Sequence, residues 1–227
     1  MYEQFQKKID VTFKDVALLR SATIHRSYLN ENKDELEHNE RLEFLGDAVL
    51  ELVTTEYLYK NFDDPEGELT NLRSSIVKKE TLAIVARDIS IGDILLLSKG
   101  EKASGGAEKD YILANSVEAL IGAMYLDQGY EVSKKFISTF IISKLEEILK
   151  NKAHIDSKSL FQEKTQELLG ITPDYREVFS EGPDHNKIFT MGVYLGEEFV
   201  AQGKGSSKQI AEQNAAKEAL IYRGWNL

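Results

Sequence analysis

The chain has 227 residues, 42% of them hydrophobic and 29% charged, with no cysteine. That composition describes soluble globular material with room for one large or two modest domains, and it excludes a disulfide framework or a thiolate metal site. A formal net charge of −10 argues against a generic basic nucleic-acid binder, so attraction to a polyanion would have to come from local Lys and Arg clusters or bound cations. The acidity is uneven. Residues 1–150 hold 19 Lys and Arg against 27 Asp and Glu (−8), and residues 151–227 hold 9 against 11 (−2).

The first residues, MYEQFQKKIDVTFKDV, mix acids with apolar side chains and are unlike a secretory leader. Apolar runs stay short of the roughly 18 residues a membrane span needs; FISTFIISKLEEIL comes closest and reads as an amphipathic helix. A cytoplasmic chain with no membrane partner is expected. From Phe13 to Leu149 apolar residues recur at three- and four-residue steps. ERLEFLGDAVLELVTTEYLY (40–59) predicts one long buried helix. SSIVKKETLAIVARDI (74–89), YILANSVEALIGAMYLDQG (111–129) and KKFISTFIISKLEEILK (134–150) predict three more, with Gly129 as a helix stop. DDPEGE (63–68) and SKGEKASGGAEKD (98–110) read as loops. The first 150 residues thus form an all-α domain.

The periodicity pauses over residues 151–156, the expected linker, and resumes with a different grammar. SLFQEKTQELLG (159–170) is a short helix. DYREVFSEG, KIFTMGVYLG and EEFVAQGKG read as strands joined by the turns GPDHN and GE, and KQIAEQNAAKEALIY (208–222) closes as an alanine-rich helix. Residues 157–227 are therefore a small α+β domain of order α-β-β-β-α. Phe161, Leu168, Phe179, Phe189 and Val200 are its expected core.

NERLEFLGDAVL (39–50) carries the most chemistry. On a helix Glu40, Glu43 and Asp47 project within about 60° of one another. ILANSVEALIG sets Asn115 and Glu118 three residues apart among apolar neighbours, where an acid needs a partner. Oxygen-only donors of this kind suit Mg²⁺ or Mn²⁺, ions that support phosphodiester hydrolysis. Acids at this spacing usually form a solvated face, and Glu51 projects to that same face, so spacing does not exclude it.

NERLEFLGDAVL, with HRSYL (25–29), EGELTNLRSSIV (66–77) and ILANSVEALIGAMYLD (112–127) in that order, closely resembles the ribonuclease III family. The resemblance implies an endonuclease that cuts double-stranded RNA with Mg²⁺, Mn²⁺ being a possible substitute, and with no small-molecule cofactor. It implies a homodimer whose two sites each cut one strand, leaving 5′-phosphates, 3′-hydroxyls and two-nucleotide 3′ overhangs, in rRNA and mRNA processing. Glu43, Asp47 and Glu118 match the family's metal-binding carboxylates. Glu40 and Glu66 match further acids of its cleavage valley. Leu42, Phe44 and Leu45 would serve packing and the dimer surface. One position departs: the family's usual aspartate is Asn115 here, an oxygen donor without charge that implies weaker metal affinity. A natural active variant, a weakened one, an engineered one, or a double-stranded RNA-binding protein that does not cleave are the readings this leaves.

Residues 157–222 similarly resemble the double-stranded RNA-binding domain, a module spanning about 16 base pairs. The resemblance implies that Ser159, Gln162, Glu163 and Gln166 meet one minor groove, that His185 enters the next, and that Ser207 and Lys208 hold phosphate. Here the family's lysine pair is Lys208-Gln209, one cation fewer.

Overall fold

A computed structural model describes residues 1–32, 37–150, 156–183 and 187–225. It separates into two compact units, Met1–Ala153 and His154–Leu227.

The first unit is helical: α1 (Tyr2–Ile9), α2 (Val16–Ala22), α3 (Glu40–Asn61), α4 (Glu66–Val77), α5 (Lys79–Asp88), α6 (Lys99–Ala103), α7 (Asp110–Gln128), α8 (Tyr130–Phe140) and α9 (Leu145–Lys150), with short 3₁₀ turns between some of them. α7 is the central element, with every side chain from Val117 to Met124, apart from Glu118, fully buried. Gly129, at φ 81°, ends it as expected. α3 differs from expectation. It buries Leu42, Val49, Leu50, Val53 and Leu58 but leaves Phe44 82% and Tyr59 80% exposed, so it is a two-faced helix rather than a buried one.

Two runs predicted as single helices are broken. Residues 74–89 split at Lys78, which is extended at φ −61° and ψ 152°. The Thr81 hydroxyl donates to the Ser75 carbonyl (2.9 Å), satisfying a group the break would orphan. The turn lets α4 bury Ile76 while α5 buries Leu82 and Val85, which one straight rod would not do. Residues 134–150 break at Ile141, with Ile137, Ile141, Ile142 and Leu145 all directed into the core. The expected loops also hold more order. Pro65 precedes the first residue of α4, and the Ser98 hydroxyl caps α6 by accepting from the Glu101 amide (3.1 Å).

The second unit contains α10 (Ser157–Leu169), β1 (Asp174–Glu181), β2 (Ile188–Leu195), β3 (Glu198–Gly205) and α11 (Lys208–Tyr222), with an antiparallel sheet in the order β1-β2-β3. Residues 151–155 of the expected linker lie outside the described residues. Asp156 belongs to the helix that follows, its carboxylate accepting from the Lys158 and Ser159 amides. Alanines dominate α11 because the helix lies almost on the backbone of β3. A Cβ on Gly203 would stand 2.2 Å from the Ala215 amide nitrogen, and one on Gly205 2.5 Å from that of Ala211.

Phe161 and Val200 join the core with Val193, Ala215 and Leu220. Two expected core residues do not: Leu168 is 55% and Phe179 57% exposed, and Phe189 is only half-buried. The buried stripe of α10 is Ser157, Phe161 and Thr165, and Leu168 lies past its end. Phe179 follows a bulge in β1, an edge strand, where the pairing shifts by one residue.

Candidate active site and nucleic-acid interface

Helices α3 and α7 meet at a distance that only glycine permits. A Cβ on Gly46 would stand 1.7 Å from the Glu118 carbonyl oxygen, and one on Gly122 2.2 Å from that of Leu42. Glu43 and Asp47 flank Gly46 on α3, and Asn115 and Glu118 sit on the two turns before Gly122 on α7. Backbone contact at the crossing therefore draws the acids of two helices into one field. The spacing of the acids points to neither glycine, although each is the lone glycine of its helix and costs about 1 kcal/mol against alanine there. That unexplained cost was the available signal.

The electrostatics record the crowding. Burial, followed by the Asp47 and Glu43 carboxylates, pushes the Glu118 carboxyl up to about 7, and both charges acting on it are negative. Glu43 is also raised, first by burial and then by Glu40, while the nearby Asn115 amide pulls it partly back. Asn115 is half-buried on the same face of α7 as Glu118. Glu51, which shares the helical face by spacing, is removed from the group: its carboxylate lies 2.9 Å from Arg73 Nε.

Glu43 and Asn115 form part of the wall of a cleft of about 640 Å³, with Glu40, His25, Arg26 and His38 on its other sides. Glu40 lies 3.8 Å from both Arg26 Nη1 and His38 Nδ1. The HRSYL segment is what holds this wall. His25 Nδ1 and the Ser27 hydroxyl are 2.8 Å apart, the same hydroxyl accepts from the Ser98 amide (3.1 Å), and the His25 amide donates to Leu96 (3.1 Å). Glu66 is placed elsewhere within the chain. It is exposed at the start of α4, beside a groove formed with Thr55, Tyr59 and Arg73. That groove begins two turns along α3 from Asp47, about 12 Å.

Among the described residues no group of three or more His, Cys, Asp or Glu side chains is closed around a point that would hold a metal ion. The donor set nonetheless suits a hard divalent cation. Its donors are all oxygen, the carboxylates repel one another, and half-buried Glu118 has only negative neighbours acting on it.

In the second unit Ser159, Gln162, Glu163 and Gln166 are exposed together on one face of α10, opposite the buried Phe161 and Thr165. Gln166 Nε2 donates to Thr172 (3.2 Å) and the Ser159 hydroxyl donates to Asp156 (2.9 Å). The Ser207 hydroxyl caps α11, accepting from the Ile210 amide (3.2 Å). Lys208 is exposed and ion-paired to Glu177 at 2.8 Å. His185 lies outside the described residues.

Residues 15–145 match the Ribonuclease-III-like family, and residues 157–222 match the double-stranded RNA binding motif. Ribonuclease 3 of Natranaerobius thermophilus is 44% identical over 218 residues, spanning 96% of this chain and 94% of that protein. Ribonuclease 3 of Borreliella afzelii is 40% identical over 218 residues, spanning 96% and 89%. The chain belongs to the ribonuclease III family. Its helical unit also resembles the solved nuclease domain of Campylobacter jejuni ribonuclease III, with a TM-score of 0.59 and 40% identity over 63% of this chain and 97% of that one. That structure concerns flexibility in a region of the Campylobacter domain involved in dimer formation. A ribonuclease III-type endoribonuclease is thus built here from an all-α nuclease domain followed by an α-β-β-β-α double-stranded RNA-binding domain. No described helix is long and apolar enough to cross a membrane.

Proposed function

We propose that this ribonuclease III hydrolyses the phosphodiester bonds of double-stranded RNA at the α3–α7 crossing, with Glu43, Asp47 and Glu118 holding Mg²⁺ (or Mn²⁺) and Asn115 adding a neutral oxygen. The observation that carries this reading is the glycine-to-glycine contact that forces like-charged carboxylates together around a half-buried Glu118. Such an arrangement costs stability unless a cation is bound. When bound, the metal activates water and stabilises the leaving oxygen. The chain's own part is to fix the donors. The helix crossing sets the spacing of Asp47 and Glu118, the Asn115 amide favours the Glu43 carboxylate, and the Arg26–His38 side of the cleft keeps Glu40 at its rim.

The same reading makes the active form a homodimer. Phe44 is exposed beside an apolar groove that includes Leu18, Leu42, Leu45 and Leu126, a surface suited to a second copy of the chain. Glu66, remote from the cluster within one chain, then acts in the valley between two copies. The products are duplexes with 5′-phosphates, 3′-hydroxyls and two-nucleotide 3′ overhangs, and the substrates are rRNA precursors and mRNA. Ser159, Gln162, Glu163, Gln166 and His185 read the minor grooves, while Ser207 and Lys208 hold phosphate.

The test is incubation with a long perfect RNA duplex, with Mg²⁺ and with EDTA, followed by end analysis. Short duplexes with recessed 5′ ends that appear only with Mg²⁺ are expected. Intact duplex at every Mg²⁺ concentration, together with cleavage by Asn115→Asp, would instead make this chain an RNA-binding protein.

A further inference from the structure

By sequence the start of α11 has one lysine where its family has two, because Gln209 follows Lys208. The fold brings up another. Phe189, at the beginning of β2, faces the helix side of the sheet, as do Met191 and Val193 further along the strand. Over its ring lie two ammonium groups, Lys187 Nζ at 5.6 Å and Lys208 Nζ at 5.9 Å from the centroid. Both distances are within cation–π range, so one aromatic ring gathers two lysines that are 21 positions apart in sequence. Glu177 belongs to the same place. It pairs across strands with Met191, which puts its side chain on the helix-facing side of edge strand β1. Its carboxylate lies 2.8 Å from Lys208 Nζ. Glu177 is held below the usual carboxylate range, chiefly by Lys208 and also by Ser180, with Lys187 adding a smaller attraction.

We propose that Lys187 and Lys208, gathered over Phe189, form the phosphate seat of the RNA-binding domain, and that Glu177 occupies this seat in the RNA-free chain as an internal substitute for phosphate. Lys187 thereby restores in space the cation that Gln209 removes from the sequence. Duplex binding must exchange the Glu177 carboxylate for a backbone phosphate. An exposed ion pair of this kind is weak enough to be exchanged, whereas a duplex phosphate adds the release of condensed counterions. Glu177 is then a specificity element: it lowers affinity for isolated anions and leaves binding to the dense phosphate array of a duplex.

The inference rests on the reading that Lys208 meets the RNA backbone, and the experiment separates the two. Full-length protein binds a labelled RNA duplex of about 30 base pairs, longer than one domain's footprint. Binding is measured by anisotropy across a salt series in EDTA, with gels checking that the duplex stays intact and melts checking that each variant is folded. Lys208→Gln and Lys187→Gln should each weaken binding and reduce the log–log salt slope by about one. Glu177→Gln should tighten binding about two- to fivefold, and this gain should vanish in the Lys187→Gln/Lys208→Gln background. Lys187→Arg should retain binding, since it keeps the charge. If Lys208→Gln has no effect, the phosphate role of α11 fails and the inference fails with it. If Lys208→Gln weakens binding but either Lys187→Gln or Glu177→Gln is neutral, the inference alone is overturned.

Discussion

Replacing Glu118 by glutamine separates what the site does for the fold from what it does for catalysis. In the metal-free protein Glu118 is pushed from an ordinary 4.5 up to about 7, mainly by burial and then by Asp47 and Glu43. The folded state therefore holds this proton more tightly than the unfolded chain does. Its contribution to stability is complete below pH 4.5 and is lost as pH rises through about 7. Fully expressed, the loss would be about 3 kcal/mol; because water reaches the half-buried carboxyl, about 1–2 kcal/mol is the realistic share. Glutamine has nearly the same shape and no charge. Glu118→Gln should therefore be about 1–2 kcal/mol more stable than the parent at pH 8 in EDTA, with little difference at pH 5. Urea unfolding at the two pH values measures this directly. Mg²⁺ should stabilise the parent at pH 8 by more than the variant, and duplex cleavage by the variant should fall by at least about a hundredfold. An equal stability change at both pH values, or destabilisation at pH 8, would refute the argument that carboxylate crowding is relieved only by a cation.

Other outcomes follow from the same geometry. Gly46→Ala and Gly122→Ala each place a methyl group on the opposing backbone, so each should cost more than about 3 kcal/mol, seen as a collapse of the thermal transition in circular dichroism. Asn115→Asp restores a charged ligand and removes the amide that favours the Glu43 carboxylate; it should lower the Mg²⁺ needed for half-maximal cleavage several-fold, measured by titration. Phe44→Asp puts a charge on the exposed aromatic of α3 and should shift the chain from dimer to monomer in analytical ultracentrifugation, without lowering monomer stability by more than about 0.5 kcal/mol.

Local features were legible without coordinates wherever the chain's own periodicity fixed them. The α-β-β-β-α order of the second domain follows from alternation, turn residues and an alanine-rich close, because each strand and helix there is a short, self-contained pattern. The acids of NERLEFLGDAVL could be placed on one helical face for the same reason. Spacing could not separate Glu51 from Glu43 and Asp47, since that depends on Arg73 arriving from another helix. The breaks at Lys78 and Ile141 also escaped it, because apolar spacing is nearly unchanged across a turn that reorients the next helix toward the same core.

By itself, then, the sequence determined the two-domain order, the family and the residue types of the site, all of which are carried by short contiguous segments. Tertiary structure decided which acids share a field, through two lone glycines that bring α3 against α7. It also decided that Lys187 and Lys208, far apart in the chain, both approach the ring of Phe189. Both depend on contacts between segments distant in sequence, and charge interaction is set by separation in space, whatever the separation along the chain.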